Sequence, residues 1–155
     1  MNSSLPAPFP VIVAPGEGRV IRAFGSEMVF HLTGAETEGR QMLATIIAPP
    51  GDGPPLHYHE NEDETFLVQE GRISFYGEGR WREVEPGTIV FAPKRSVHSL
   101  KNVGTTTGRI LVSASPAGFE TFFARCAEVF SRPGAPDMAR IIEISAEHGI
   151  HYVNA

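Results

Sequence analysis

Turn-forming residues break the chain into short apolar runs from residue 11 to about residue 115, and this spacing constrains the fold more than any other feature. The sequence has 13 prolines and 16 glycines. Several runs alternate with period two, so that Glu64, Phe66 and Val68 share one face. Short alternating runs with frequent turns predict an all-β sandwich or barrel. The predicted strands are residues 11–13, 20–23, 27–32, 41–47, 65–69, 73–76, 81–84, 88–92, 97–103 and 109–113.

The pattern changes after residue 115. Apolar residues recur at helical spacing from Phe119 to Phe130, residues 132–136 break the pattern, and Asp137 is typical of the N-cap of a second helix that stops at Gly149. We therefore expect one domain, with a β portion in residues 1–115 and a helical extension in residues 116–155 packed on it. The phenylalanine-rich face is predicted to cover a sheet face or edge; a dimer contact is the alternative. The predicted stripe of the second helix is Met138, Ile141 and Ile142.

Composition and charge narrow the classes of function. A net charge of −5 indicates no basic surface, so we expect no nucleic-acid partner. The stretch MNSSLPAPFP lacks the features of a signal peptide, and no apolar run is long enough to cross a bilayer, so we expect a cytoplasmic protein without a membrane partner. The single cysteine, Cys126, is expected to be a buried and inert thiol.

Histidines and acids cluster in the stretch GDGPPLHYHENEDETFLVQEG, residues 51–71. His57 and His59 point to the same face if the segment is extended, and Glu64 opens the next strand. His98 is a fourth candidate, from a later strand. Three imidazoles and one carboxylate suit a divalent first-row transition metal. The lone histidines His31, His148 and His151 are expected to be packed or exposed, without a chemical role.

These residues fill the two sequence motifs of the cupins. The first motif, G-x5-H-x-H-x4-E-x6-G, is matched throughout, and the second, G-x5-P-x-G-x2-H-x3-N, is matched except where Arg95 replaces glycine. The chain thus resembles small bacterial single-domain cupins of the quercetin 2,3-dioxygenase-like group. The matching residues are Gly51, His57, His59, Glu64 and Gly71 in the first motif and Gly87, Pro93, His98 and Asn102 in the second.

The resemblance implies a double-stranded β-helix, the jelly-roll barrel of the cupins, with one mononuclear metal site. Its ligands would be His57, His59, Glu64 and His98, with Asp63 as the runner-up acid. Glu60, Glu62 and Asp63 are interpreted as solvated loop charges. The metal would be Fe, Mn, Ni, Co, Cu or Zn, which this ligand set does not distinguish. Arg95 is interpreted as a solvent-facing turn residue; an anion-binding position over the barrel mouth is the alternative.

The resemblance also implies an activity. We expect a metal-dependent dioxygenase that acts on a small enol- or flavonol-like compound, with Glu64 as both ligand and catalytic base. The alternatives are a non-catalytic binding module and an O2-independent isomerase or decarboxylase, for which Tyr58, Tyr76 and Lys101 are candidate proton donors. A homodimer is expected, as for many cupins. The predicted pocket lining is Phe66, Ile73, Phe75, Phe91 and Leu100.

Overall fold

The computed structural model describes residues 9–154, so residues 1–8, at the start of the predicted β portion, and residue 155 lie outside the description. Within these residues there are eleven strands and three helices. The strands are β1 Arg19–Ala23, β2 Ser26–Leu32, β3 Met42–Ala48, β4 His57–His59, β5 Asp63–Glu70, β6 Ile73–Gly77, β7 Arg80–Val84, β8 Ile89–Ala92, β9 Ser99–Asn102, β10 Gly108–Ser115 and β11 Ile150–Tyr152. The helices are α1 Gly34–Thr37, α2 Phe119–Phe130 and α3 Met138–Glu147.

The strands form two antiparallel layers that face each other. One layer is a six-stranded sheet in the order β1-β2-β3-β10-β5-β8. The other contains the sheets β7-β6-β9 and β11-β4, which an isolated bridge between His57 and His98 links. Phe66 of the first layer and Phe75 of the second have ring centroids 5.3 Å apart, so the inner faces pack on each other. The predicted all-β jelly roll followed by two helices is confirmed, although separate sheets replace a continuous closed barrel.

Alternation along the strands places the core between the layers. In β10, Ile110, Val112 and Ala114 point inward and are buried, while the residues between them are partly exposed. The neighbouring β5 repeats the pattern with Glu64, Phe66 and Val68. Register links the two strands, since Val112 lies opposite Phe66 and Ala114 opposite Glu64. One carboxylate therefore occupies a row of otherwise apolar inward positions.

Helix α2 packs on the β portion through the face that its spacing predicts. Phe122, Phe123, Cys126 and Val129 are buried. Burial raises the pKa of the Cys126 thiol to about 11, which agrees with an inert side chain. None of the helices within residues 9–154 is long and apolar enough to cross a membrane.

Helix α3 begins and ends where the sequence predicts, but one part of its predicted stripe is wrong. The Asp137 side chain accepts a hydrogen bond from the backbone N–H of Arg140, and Gly149 follows the helix with a positive φ. Ile141 is buried, whereas Met138 and Ile142 are exposed. The buried positions are Ile141, Ile144 and Ser145, because α3 packs on α2 and β11 through this face.

Three local elements differ from the prediction. Residues 11–13 pair with no strand in the described part of the chain. The short helix α1 arises from a capping box between Thr33 and Glu36. Strand β11 follows α3 and pairs with β4, so that Tyr152 lies opposite His57. The chain thus returns to the β layers after its helices.

Candidate metal centre

The four candidate ligands come from three places in the chain and meet between the layers. His57 and His59 lie on β4, Glu64 lies on β5, and His98 directly precedes β9. All four side chains are buried, and each offers one ligand atom that lies within 4.8 Å of the others. The first two histidines are two residues apart on a strand, so both point inward. The described residues therefore bring together the ligand set that the sequence predicts, and this cluster could hold a metal ion.

Hydrogen bonds at Nδ1 orient the imidazoles. Nδ1 of His57 lies 2.8 Å from the carbonyl oxygen of Pro55, and Nδ1 of His98 lies 2.9 Å from that of Ser96. Because a carbonyl only accepts, Nδ1 carries the proton in both rings and Nε2 keeps its lone pair. Nδ1 of His59 lies 3.1 Å from Oε2 of Glu62. This is the arrangement that fixes the tautomer and direction of metal-binding histidines.

The remaining ring nitrogen of His59 fits a metal ion. His59 Nε2 is buried and has no hydrogen-bond partner among the described residues. It lies 3.3 Å from Glu64 Oε2, and His98 Nε2 lies 2.8 Å from the same carboxylate oxygen. A buried polar atom without a partner is costly, and coordination to a cation would remove that cost. The donor set and this atom agree with a divalent metal site.

The electrostatics of the cluster favour the metal-binding forms of Glu64 and His57, whereas they favour the protonated form of His59. Burial by itself would raise the pKa of Glu64, but His59 and His98 outweigh it and hold the pKa below its usual value. Burial by itself would lower the pKa of His59, but Glu64 and Glu62 outweigh it and raise the pKa. Burial and the neighbouring imidazoles lower the pKa of His57 to about 4. At neutral pH Glu64 is therefore ionised and His57 is neutral, as metal binding requires.

One of the acidic residues between His59 and Glu64 has surroundings that differ from its prediction. Glu62 is buried and contacts His59, so the interpretation of this residue as a solvated loop charge is wrong. Glu60 is exposed, as predicted. Asp63 accepts a hydrogen bond from the backbone N–H of Lys94 at 2.8 Å and is not part of the cluster. The three-residue spacing from His59 to Glu62 is the only sequence signal that could have indicated its role.

A cavity of about 380 Å³ lies beside the four candidate ligands, which form part of its wall. Phe66 and Leu100 line it, as the sequence predicts. Phe75 and Ile73 are core residues that do not reach it. Phe91 is 61% exposed, because the pairing of β8 with β5 places Ala92 beside Glu64 and turns Phe91 to the outer face. The prediction of these three as lining residues is therefore wrong.

Much of the cavity wall comes from residues that the motifs do not include. The ring of Phe119 lies 5.9 Å from that of His59. Phe24, in the turn between β1 and β2, has a φ of 58° and packs its ring 4.8 Å from that of Phe130. This is an uncommon conformation for a bulky side chain, and it directs the ring toward α2. The aromatic residues of this wall are Phe24, Phe119, Phe122, Phe123 and Phe130.

Among the described residues that line the cavity, Tyr152 is the one tyrosine. Its hydroxyl lies 3.1 Å from Ser145 Oγ, and burial raises the pKa of its phenol. The predicted proton donors lie elsewhere: Tyr58 stacks on His151, Tyr76 contacts Trp81, and neither they nor Lys101 line the cavity. Strand β11 brings Tyr152 beside His57. This strand was not predicted, because its three residues are too few to show a clear alternating pattern.

The structure explains how Arg95 can replace the glycine of the second motif. Arg95 has a φ of 68°, the conformation that the motif glycine would adopt freely. Its side chain is exposed, and its backbone N–H donates a hydrogen bond to the His59 carbonyl at 2.6 Å. The turn thus keeps its shape with arginine, as the solvent-facing interpretation expects. His31 bonds to Thr45 outside the cluster, and His148 contacts Arg125.

Comparison with known proteins points to one family. Residues 44–114 match the model of the cupin domain. A quercetin 2,3-dioxygenase of Bacillus subtilis is 29% identical over 116 residues, which are 74% of this chain and 34% of the dioxygenase. An oxalate-binding protein of Thermotoga maritima is 30% identical over 66 residues, 43% of this chain and 54% of that protein.

The solved structures agree in fold. The crystal structure of a predicted oxalate decarboxylase from Thermotoga maritima has a TM-score of 0.64 and 24% identity, and the match covers 68% of this chain and 99% of that chain. The chain spans about a third of the curated dioxygenase and about half of the oxalate-binding protein. The family match contains the four candidate ligands but ends before α2 and β11.

Proposed function

This chain is a small cupin-domain protein, and we propose that it is a metal-dependent dioxygenase that acts on a small enol- or flavonol-like compound. The observation that supports this best is the position of the ligand cluster. Three imidazoles and one carboxylate with converging donor atoms form part of the wall of an aromatic cavity. The likeness to part of a quercetin 2,3-dioxygenase supports the same reaction class.

His57, His59, Glu64 and His98 would hold one divalent metal. When bound, the metal supplies Lewis-acid polarisation of a substrate oxygen and the redox chemistry of an oxygenation. Glu64 is ionised at neutral pH, so it enters the reaction as a proton acceptor. In the proposed role, a Glu64 carboxylate oxygen takes the proton from the enol or phenol hydroxyl of the substrate. Glu62 does not line the cavity, so its role would be to position His59.

The aromatic wall would bind and shield the substrate body. Phe66 and Leu100 contribute from the sheets, and Phe119 contributes from α2 beside His59. A cavity of about 380 Å³ lies within the usual size range of small-molecule sites. Aromatic walls bind flat apolar ligands and keep bulk water from the reacting atoms, which limits side reactions.

Metal analysis combined with oxygen uptake tests the proposal. The purified protein is reconstituted with each divalent first-row metal in turn, and dissolved oxygen is followed during addition of enols and flavonols. We expect near-stoichiometric metal and substrate-dependent oxygen consumption with at least one metal, and neither in a His98→Ala variant. Substrate conversion that continues equally without oxygen would contradict the dioxygenase.

An O2-independent isomerase or decarboxylase is the second candidate. It is favoured by Tyr152, a half-buried phenol in the cavity wall that could deliver a proton to a substrate carbon. Conversion without oxygen, together with loss of that conversion in a Tyr152→Phe variant, would support it. Retained ligand binding without any conversion would instead indicate a non-catalytic binding module.

A further inference from the structure

One polar pair interrupts the apolar wall of the cavity away from the ligand cluster. Asp52 lies on the loop between β3 and β4, and Ser26 begins β2. Both residues line the cavity. The hydroxyl of Ser26 donates a hydrogen bond to Oδ2 of Asp52. The hydrogen bonds among residues 9–154 give Oδ1 of Asp52 no donor, so this oxygen is free to accept one.

The loop holds Asp52 in place. Its backbone N–H donates to the Pro49 carbonyl at 3.1 Å, and its carbonyl accepts from the Asn102 N–H at 2.8 Å. The next residue, Gly53, packs so closely on β9 that an added Cβ would collide with the Leu100 carbonyl oxygen. The carboxylate is therefore fixed before a ligand arrives, which reduces the entropic cost of recognition.

The charged groups of the cavity wall favour a neutral ligand near Asp52 over an anionic one. Among the described residues that line the cavity there is no lysine or arginine. Its ionisable groups are Asp52, Glu64, Tyr152 and the three histidines of the cluster. A carboxylate or phosphate group beside Asp52 would meet a like charge, with no lysine or arginine in the wall to compensate it; the one compensating cation would be a metal held by the ligand cluster.

We infer that Asp52, held by Ser26, determines specificity by accepting a hydrogen bond from a hydroxyl or amino group of a neutral, aromatic-bodied ligand. The same carboxylate disfavours anionic ligands by repulsion. A hydrogen bond to an ionised acceptor is stronger than one between neutral groups, so one such contact selects a donor-bearing ligand over its capped analogue. This inference rests on the proposed function, since it describes the substrate of the same cavity.

Three probes that share one aromatic body test it. 2-Naphthol carries a donor, 2-methoxynaphthalene lacks one, and 2-naphthoate is an anion. Their binding is measured by calorimetry to the full chain, both metal-loaded and metal-free. The variants are Asp52→Asn, which keeps the shape and removes the charge, and Asp63→Asn, a control whose acid lies outside the cavity wall.

The metal-free wild type is expected to bind 2-naphthol about tenfold more tightly than 2-methoxynaphthalene, with 2-naphthoate weakest. Asp52→Asn should raise the affinity for 2-naphthoate about tenfold and reduce the preference for 2-naphthol over 2-methoxynaphthalene. Asp63→Asn should leave the affinity for 2-naphthoate and this preference unchanged. A 2-naphthoate affinity that is unchanged in Asp52→Asn would overturn the inference, as would a lack of binding of all three probes at millimolar concentration. Missing oxygen uptake with this selectivity intact would refute the proposed function alone.

Discussion

The two parts of the molecule that meet at the cavity differ in what they contribute. Residues 44–114, which match the cupin domain, hold all four candidate ligands in buried positions on β4, β5 and next to β9. The segments outside this match, namely the β1–β2 turn, α2 and β11, supply most of the aromatic wall and Tyr152. The matched residues thus bring together the candidate ligands, and the segments outside the match form most of the aromatic wall beside them.

This division implies that the two properties can be changed separately. Substitutions in the ligand cluster should abolish metal binding without altering the wall, and substitutions in the wall should alter ligand affinity without removing the metal. The ligand cluster and the added wall are in direct contact, since the ring of Phe119 in α2 lies beside that of His59 in β4. Four sets of variants test this division.

Removal of one ligand should have the largest effect. We expect His98→Ala to abolish stoichiometric metal binding, because an imidazole that is aligned by the Ser96 carbonyl would be lost. The strands should persist, since the bridge between residues 57 and 98 uses backbone atoms. Metal content by elemental analysis and circular dichroism check both points. His151→Ala, outside the cluster, is the control, and undiminished metal in His98→Ala would remove His98 from the site.

Loss of the carboxylate that orients His59 should weaken metal binding without abolishing it. Glu62→Gln removes the charge-assisted hydrogen bond to His59 Nδ1, and such outer contacts typically contribute about 10- to 100-fold in metal affinity. Competition titration with a chelator measures this change. The exposed Glu60→Gln should bind metal like the wild type, and equal affinities in both variants would mean that Glu62 has no role in positioning.

A change in the added wall should affect the ligand and leave the metal. Phe119→Ala removes a ring beside His59, so we expect about a tenfold loss of affinity for a flavonol and unchanged metal content. Fluorescence titration with the flavonol measures the affinity. Phe91→Ala is the matched control, because Phe91 lies on the outer face. A similar loss in both variants would show that the cavity is not where the flavonol binds.

Two residues with positive φ should respond to glycine in opposite directions. Arg95→Gly relieves the backbone strain of the positive φ, and it removes only an exposed side chain. It should therefore stabilise the protein by up to about 1 kcal/mol. Phe24→Gly relieves the same strain but removes a ring that packs on Phe130 and Phe123, so a net destabilisation of about 1 kcal/mol is expected. Urea denaturation measures both; stabilisation by Phe24→Gly would mean that its ring contributes nothing.

The division also explains which residues could be predicted from the sequence. The ligands follow from motif spacing, because strand alternation puts His57 and His59 on one face and Glu64 in register with the core. Turn signals and helical spacing gave the β portion and both terminal helices. The register of β8 could not be read from an apolar run, and for that reason Phe91 was assigned to the wrong face.

Residues that depend on distant packing could not be predicted. Glu62 resembles its acidic neighbours in sequence, and only the fold buries it against His59. The wall function of α2 depends on where the helix docks, which amphipathic spacing does not specify. Tyr152 reaches the cavity through a three-residue strand whose pairing with β4 is set by the whole fold. The homodimer, the domain boundary at residue 115 and the cytoplasmic location stay predictions.

X-ray absorption spectroscopy at the metal edge shows whether His57, His59, Glu64 and His98 hold a metal ion. The purified chain is reconstituted with one divalent first-row metal, its content is measured, and its ligands are identified from the spectrum. We predict one metal per chain with scattering from three imidazoles and at least one carboxylate oxygen, reduced by one imidazole or lost entirely in His98→Ala. A metal content that remains far below one per chain after reconstitution, or a spectrum without imidazole scattering, would contradict the account.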